Sequence, residues 1–286
     1  MSVVTSGSAP GSRQLAPSSR TTVRRGAKRA SSDREDLHDV LGAALICHLG
    51  VLVDGVPVVL PTVYGVDLDG PDQDGTLYLH GSVAARSLRA APQQDVCVTM
   101  TVLDGLVLAR SGFHHSMNYR SAVIIGRPRT VEDPDEIQRA LDLVVDHVVP
   151  GRAATLRPHT RKELAATSVI ALGLAEASVK IRSGDPVDDE ADVEHGGWAG
   201  VIPVRLVAED VRTAADATGF DPPADVRARR RPEDLTPPPA AEGERHGYQF
   251  QPAWESVASA ISRRVDPSPS GTGTPASWHD SSRVRS

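Results

Sequence analysis

Short runs of β-branched and aliphatic residues follow one another through the middle of the chain, and Asp-Gly pairs separate several of them. Asp54-Gly55 and Asp104-Gly105 are dipeptides that favour tight hairpin turns. Parallel strands would need longer crossovers, so the pattern predicts an antiparallel barrel, a mainly β fold with a few helices. The predicted strands are 44–52, 56–66, 76–79, 95–103, 106–109, 121–126, 168–174, 177–181 and 201–207.

Two prolines and three capped starts add detail to this pattern. Pro57 and Pro61 cannot donate to a strand ladder, so their strand is predicted at an edge or at an interruption. Helices are predicted from Asp33, from Asp133-Pro134 and from Thr160, because each has an N-cap residue followed by acidic residues.

Both ends of the chain differ in composition from the middle. Residues 1–32 are rich in Ser, Thr and Arg and predict a disordered basic leader, whereas 33–210 form the folded domain. Residues 211–286 are rich in Pro and Arg and predict a disordered tail. The segment around Trp254 is interpreted as solvated, with a short amphipathic helix as the alternative.

Composition excludes several classes of protein. A formal net charge of −6 argues against nucleic-acid binding by the whole protein. No apolar run is long enough to span a membrane, and no signal-peptide core is present, so we expect a cytoplasmic protein. Cys47 and Cys97 lie in apolar runs and are interpreted as buried, reduced thiols.

One loop combines the groups that an anion requires. It follows the run ending at Leu79 and contains Gly81, which allows close turning, and Ser82, a typical helix N-cap. Arg86 falls one turn into the predicted helix. Free N–H groups at a helix start and a guanidinium together favour a phosphate-bearing ligand, although an ordinary strand–turn–helix is the alternative.

The histidines offer a second kind of site. His114 and His115 could line a substrate pocket or ligate haem or a metal. Adjacent residues point in different directions and no carboxylate stands at ligand spacing in the sequence, so we predict no metal site. His48 is interpreted as an interior, hydrogen-bonded histidine.

Several motifs together resemble the pyridoxamine 5′-phosphate oxidase-like family of FMN-binding split barrels, in the branch that includes nitroimidazole-resistance proteins. The resemblance covers roughly residues 21–208. The motifs that carry it are His80-Gly81-Ser82 with Arg86, the segments 61–64 and 113–123, the late segment 178–184, and Trp198-Ala199-Gly200-Val201.

The resemblance implies a six-stranded antiparallel Greek-key barrel, a homodimer, and one FMN for each subunit in the groove between subunits. The residues that it implies for FMN are Leu60, Pro61, Thr62, Tyr64, His80, Gly81, Ser82, Arg86, Arg120, Ser121 and Trp198. Leu60–Thr62 would lie along the isoalloxazine. Tyr64 would either reach the phosphate or cap the barrel end, and Trp198 would come from the partner chain.

Two departures from the family pattern shape the functional prediction. Ala84 and Ala85 replace a polar pair that usually precedes the phosphate-binding basic residue, so Arg86, Ser82 and the backbone would carry the phosphate. No set of residues matches a pyridoxal phosphate site. The prediction is an FMN-dependent oxidoreductase acting on a small molecule, with no side chain named as catalytic. The alternative is a non-catalytic module that binds flavin, deazaflavin or haem.

Overall fold

The computed structural model describes residues 13–227, all within the first of two units, Met1–Gly243 and Glu244–Ser286. The strands of the described part are β1 (Ala30–Ser31), β2 (Cys47–Val53), β3 (Val56–Thr62), β4 (Gly65–Asp67), β5 (Thr76–Ser82), β6 (Val96–Leu108), β7 (Ser116–Gly126), β8 (Arg129–Thr130), β9 (Thr167–Gly173), β10 (Ala177–Arg182) and β11 (Gly200–Pro203). The α-helices are α1 (Arg34–Ala43), α2 (Arg86–Ala90), α3 (Pro134–Val148), α4 (Arg161–Ala166), α5 (Glu190–His195) and α6 (Ala224–Arg227). Short 3₁₀ turns occur at Ala27–Arg29, Ala91–Gln93, Gly112–His114, Ala153–Thr155 and Ala215–Ala217.

The strands form two antiparallel sheets. The larger has the order β1-β10-β7-β6-β2-β3, with β11 added beside β6, and the smaller has the order β4-β5-β9-β8. The mainly antiparallel β fold with helices is therefore confirmed. Its strands number more than the six expected, because short strands such as β1, β4 and β8 extend the sheets.

The main core lies where the two sheets and α1 face one another. It is aliphatic, as the low aromatic content of 3% requires, and Leu37, Leu49, Leu79, Met100 and Ile124 are each at most 2% exposed. A second, smaller core forms between α3 and the other face of the small sheet. Within the part of the chain described, no helix is long and apolar enough to cross a membrane.

The β2–β3 hairpin agrees with its sequence signals. Asp54 and Gly55 have φ angles of 52° and 79° at its tip, as a tight two-residue turn requires. Among the described residues β3 pairs with β2 alone and ends the large sheet. The edge position predicted from Pro57 and Pro61 is confirmed.

The second Asp-Gly pair, in contrast, is not a turn. β6 runs without a break from Val96 to Leu108, and Asp104-Gly105 is a β-bulge against β7. The predicted turn was wrong because Arg120 on β7 holds the Asp104 carboxylate from across the ladder. Local sequence cannot reveal such a cross-strand partner. The predicted strand 201–207 is also shorter and ends at Pro203.

The capped helix starts are confirmed in detail. The Asp33 carboxylate accepts from the Glu35 amide, and that of Asp133 accepts from the amides of Asp135 and Glu136. At α4, Thr160 and Glu163 form a reciprocal capping box.

The predicted disorder of the leader does not hold for residues 13–32. Leu15 is 5% exposed within the main core, and β1 pairs with β10. The Arg20 guanidinium binds the carboxylates of Glu176 and Asp95. Sequence composition missed this segment because its anchors lie far along the chain. The rest of the leader, 1–12, lies outside the described residues.

The start of the predicted tail is also attached to the domain. Asp225 in α6 accepts from Arg152 at 3.3 Å and from Thr155 at 3.2 Å. The domain boundary predicted at 210 is therefore too early for these contacts. The segment around Trp254 lies outside the described residues.

Candidate cofactor-binding site

The free edge of β3 lies where the chain passes from the large sheet to the small one. The ladder of β4 and β5 ends at Gly65 opposite Tyr78, and β3, which precedes β4, pairs with β2 instead. The segment from His80 to Arg86 continues β5 beyond this ladder and leads into α2. At its far end, Arg86 forms an ion pair with Asp54 at the hairpin tip. We call the region between this segment and the free edge of β3 the groove.

The anion loop has a different local structure from the one predicted. α2 begins at Arg86 with Ala85 at the N-cap, and Ser82 still belongs to β5. The Ser82 hydroxyl accepts from the Ala84 amide at 3.2 Å, so it caps a turn rather than the helix. Arg86 is the first helical residue, not one turn inside. This correction moves the guanidinium to the solvent side of the loop.

Gly81 is required for close packing at the same place. A Cβ atom at this position would lie 2.9 Å from the Leu88 Cδ1 atom of α2. The absent side chain therefore lets α2 fold back onto β5. The backbone around Gly81 remains close to the groove.

Tyr64 lies in the core and not beside the loop. Its side chain is 0% exposed, and its hydroxyl contacts the carbonyl oxygens of Leu41 at 2.8 Å and Ala44 at 2.9 Å. Its ring lies 4.1 Å from that of His147. The Tyr64 hydroxyl is therefore occupied by main-chain partners inside the core.

His80 is the polar group of this region that lacks a partner. Its ring is half-buried, and its buried Nδ1 atom has no hydrogen-bond partner among the described residues. Burial lowers the pKa of His80 below its usual value, because desolvation disfavours the charged ring. The imidazole is therefore held neutral, in the form that can ligate a metal or accept a proton.

Arg120 and Ser121 belong to a second group, on β7. The Arg120 guanidinium donates two hydrogen bonds, of 3.1 and 2.8 Å, to the Asp104 carboxylate. Arg120 and Asp104 line a cavity of about 260 Å³ with Leu103, Val204 and Leu206. No local signal identifies Asp104 as the partner of Arg120, because the bulge that orients Asp104 is a tertiary feature.

Trp198 is an exposed aromatic residue just before β11. Its side chain is 69% exposed, and its ring lies over Gly200 at the start of β11. A Cβ atom at Gly200 would approach the Trp198 ring to 2.9 Å. The indole is therefore held by close packing yet open to a ligand or a partner.

His48 lies on the outer face of the large sheet, not in the interior as predicted. Along β2 the buried residues Cys47, Leu49 and Val51 alternate with His48 and Leu52, which are more exposed. The imidazole of His48 makes no hydrogen bond within the described part of the chain. Its register partner on β3 is Pro61.

Two carboxylates that are distant in the sequence lie beside His114, although none stands at ligand spacing within the sequence. The ligand atoms of His114, Asp189 and Asp192 lie within 4.8 Å of one another. The two aspartates come from the start of α5, far along the chain, and the His114 Nε2 atom lies 3.2 Å from the Asp189 Oδ2 atom. His115 points elsewhere, because its Nδ1 atom contacts the Ser111 carbonyl.

Comparison with known proteins gives a family and several solved relatives. A family model described as pyridoxamine 5′-phosphate oxidase matches residues 33–181, just over half of the 286 residues. Comparison with the curated proteins finds no match. Among solved structures, the flavocytochrome Anf3 from Azotobacter vinelandii is 38% identical, with a TM-score of 0.69 over 76% of this chain and 99% of that chain.

Two further structures are similar. The FAD and haem binding protein from Mycobacterium smegmatis is 38% identical, with a TM-score of 0.65 over 71% of this chain and 98% of that chain. A putative 5-nitroimidazole antibiotic resistance protein from Bacteroides thetaiotaomicron is 22% identical, with a TM-score of 0.44 over 53% of this chain and 86% of that chain. At that distance the third structure carries no conclusion about the branch of the family.

Proposed function

Because the chain belongs to the pyridoxamine 5′-phosphate oxidase family, we propose that it is a flavin-dependent oxidoreductase acting on a small molecule. The flavin, FMN in the simplest case, would supply the hydride or electron transfer. The chain would bind it, orient it and exclude water. Pyridoxamine phosphate oxidation itself is not proposed, since the sequence offers no matching substrate set.

The observation that carries this proposal is the groove along the free edge of β3. Backbone N–H and C=O groups on an edge strand need partners, and the polar edge of an isoalloxazine ring offers both donors and acceptors. Leu60, Pro61 and Thr62 lie on this edge, and His80 and Ser82 lie in the last part of β5, on the other side of the groove, where β5 pairs with β9. The groove therefore has the polarity that a flavin ring requires.

Arg86 supports the phosphate end of the proposal. It lies at the end of the groove, it is exposed, and its present partner is the equally exposed Asp54. A phosphate dianion offers the guanidinium two charge-assisted hydrogen bonds, which are stronger than a solvent-exposed ion pair. Ser82 and the amides of the loop would complete the phosphate contacts.

A homodimer is the second part of the proposal. Arg120 and Ser121 lie on β7 and Trp198 precedes β11, and neither strand adjoins β3, so we propose that a second copy brings these residues to the groove. The outer face of the large sheet exposes Leu52 and Val59, 49% and 65% accessible, which favours burial against a partner. Sedimentation should then give about twice the chain mass of 30.3 kDa.

The test of the flavin function is the absorbance spectrum of the purified full chain. Flavin bands that bleach anaerobically on addition of NADH or NADPH, and return with an oxidant, support an oxidoreductase. Flavin bands that no reductant bleaches favour a non-catalytic binding module. A colourless protein that binds neither FMN nor FAD contradicts the proposal. A protein that binds a deazaflavin more tightly than FMN or FAD would show that the cofactor is a deazaflavin.

Haem binding is a second candidate, favoured by a specific observation. The two relatives at 38% identity are named a flavocytochrome and a FAD and haem binding protein. In this chain the half-buried, neutral His80 has a ring nitrogen without a partner and so suits an iron ligand. A Soret band that is present in the wild type and lost in His80→Ala would support this assignment, and an unchanged band would remove it.

A further inference from the structure

The segment before α1 contains several basic residues that no acidic side chain among the described residues neutralises. Arg24, Arg25, Lys28 and Arg29 lie within six residues, all exposed. Among residues 13–227, no side chain of these four takes part in a hydrogen bond or an ion pair. By contrast Arg20, only four residues before Arg24, binds two carboxylates.

Lys180 of β10 joins this group across the sheet. Ala30 is its register partner, and a Cβ atom at Gly26 would lie 3.5 Å from the Lys180 Nζ atom and 3.9 Å from the Arg29 Cδ atom. Gly26 has a φ of 68°, so the chain turns tightly around the ammonium group. Burial, and then the charge of Arg29, lowers the pKa of Arg182.

Holding like charges together without a carboxylate costs free energy. The chain has 37 acidic residues and a net charge of −6, so acidic partners are not scarce. We name Arg24, Arg25, Lys28, Arg29 and Lys180 the basic cluster. Because the basic cluster has no partner among residues 13–227, it is available to bind a multiply charged anion.

A cavity of about 210 Å³ adjoins the basic cluster. Its lining combines apolar side chains with hydroxyls, and Ala27 and Ala30, which flank Lys28 and Arg29, form part of its wall. The hydroxyls of Ser32 and Ser178 line it without a hydrogen-bond partner in the described structure.

We propose that this cavity and the basic cluster bind the adenosine diphosphate end of a dinucleotide. A flat purine with a polar edge suits apolar walls that carry free hydroxyls. The diphosphate suits Arg29 and Lys180, which adjoin the wall residue Ala30 in sequence and in strand register. The inference rests on the proposed redox function for its biological source. That source is a nicotinamide dinucleotide that delivers the electrons, because the diphosphate of FAD would include the phosphate that Arg86 binds.

Titration of ADP into the full chain tests the site without any flavin signal. Lys180→Gln and Arg29→Gln should each weaken ADP binding by about ten- to a hundredfold, as loss of a charge-assisted contact predicts. The matched control is Lys162→Gln, which removes one exposed charge from α4 and should change ADP affinity less than about twofold. Both variants should melt with the wild type, because the two side chains have no partners to lose.

Equal ADP affinity in the wild type and in Lys180→Gln overturns the proposal. So does inorganic pyrophosphate binding as tightly as ADP, because the cavity would then contribute nothing. Titration of NADPH and FAD tests the source. A loss of affinity in Lys180→Gln for NADPH but not for FAD supports the reductant, and an equal loss for FAD overturns that assignment.

These results also separate this inference from the proposed function. If the protein is colourless but its ADP affinity depends on Lys180, the nucleotide site is supported and the flavin function is contradicted. If the protein shows flavin bands but its affinity for ADP, FAD and NADPH does not depend on Lys180, the flavin function is supported and this nucleotide site is contradicted.

Discussion

Replacing Arg86 tests the groove most directly, because the structure predicts a large effect on FMN affinity and only a small effect on the free energy of unfolding. The side chains of Arg86 and Asp54 are 64% and 68% exposed, so their ion pair contributes only about 0–1 kcal/mol to the free energy of unfolding. Hydrogen bonds to a charged group contribute about 1.5–3 kcal/mol each, and the guanidinium can donate two to a phosphate. Arg86→Ala should therefore weaken FMN binding by about ten- to a few hundredfold and leave the melting temperature nearly unchanged.

The partner carboxylate should act with the opposite sign. Asp54 competes with the phosphate for the same guanidinium, so Asp54→Asn should tighten FMN binding by up to about fivefold. Arg86→Lys keeps the charge but loses the planar fork, and its loss should be smaller than that of Arg86→Ala. Riboflavin lacks the phosphate, so its affinity should respond to none of these changes.

Quenching of flavin fluorescence measures both ligands on the same protein. Titrations of FMN and riboflavin into the wild type, Arg86→Ala and Asp54→Asn give six dissociation constants. The reasoning is refuted if riboflavin weakens as much as FMN in Arg86→Ala, because Arg86 would then support the fold. It is also refuted if FMN affinity stays unchanged, because the phosphate would then bind elsewhere.

Four further predictions concern stability. Gly65→Ala should lower the free energy of unfolding, measured by urea denaturation, more than Gly81→Ala does. A Cβ atom at Gly65 would lie 2.9 Å from the main chain of α3, whereas a Cβ atom at Gly81 would meet only the end of a side chain. Equal losses in the two variants would contradict the packing argument. Tyr64→Phe should lower the free energy of unfolding by about 1–3 kcal/mol, since it leaves buried carbonyl oxygens without the hydroxyl; a neutral effect would argue against that contact. Because burial lowers the pKa of His80, the unfolded chain binds the proton more readily below about pH 6.5, and stability should fall as pH falls from 7 to 5. His80→Gln should flatten that slope, and an unchanged slope would assign it to other groups such as His38, whose pKa is also lowered by burial. A chain ending at 227 should melt with the full chain, and one ending at 210 should melt a few degrees lower yet still bind flavin, because it loses the Asp225 contacts; loss of flavin would show that this segment shapes the site.

Local signals were sufficient wherever the determining contacts are close in the sequence. The hairpin at Asp54-Gly55 needs positive φ angles at two adjacent residues, and the capped starts at Asp133 and Thr160 need partners within three residues. Each was predicted from neighbouring residues alone. The edge position of β3 followed from its prolines, since a missing N–H has the same consequence in any sheet.

Local sequence signals gave wrong predictions where the residue that decides the structure lies far away in the chain. Asp104-Gly105 has the composition of a turn, but Arg120 on the neighbouring strand holds it as a bulge. The basic, serine-rich leader has the composition of a disordered segment, but Leu15 enters the core and Arg20 binds Glu176 more than 150 residues away. Composition measures what a segment can bury alone, not what a distant surface offers it.

The sequence by itself determined the antiparallel strands, the capped helices and the family resemblance. Only the tertiary structure decided that Tyr64 lies in the core, that Arg86 faces Asp54, and that Lys180 joins the basic cluster of the leader. The physical reason is that strand and turn preferences depend on φ, ψ and nearest neighbours, whereas a site depends on which distant side chains share one small volume. That juxtaposition is fixed by sheet register and core packing, and neither can be read from one segment.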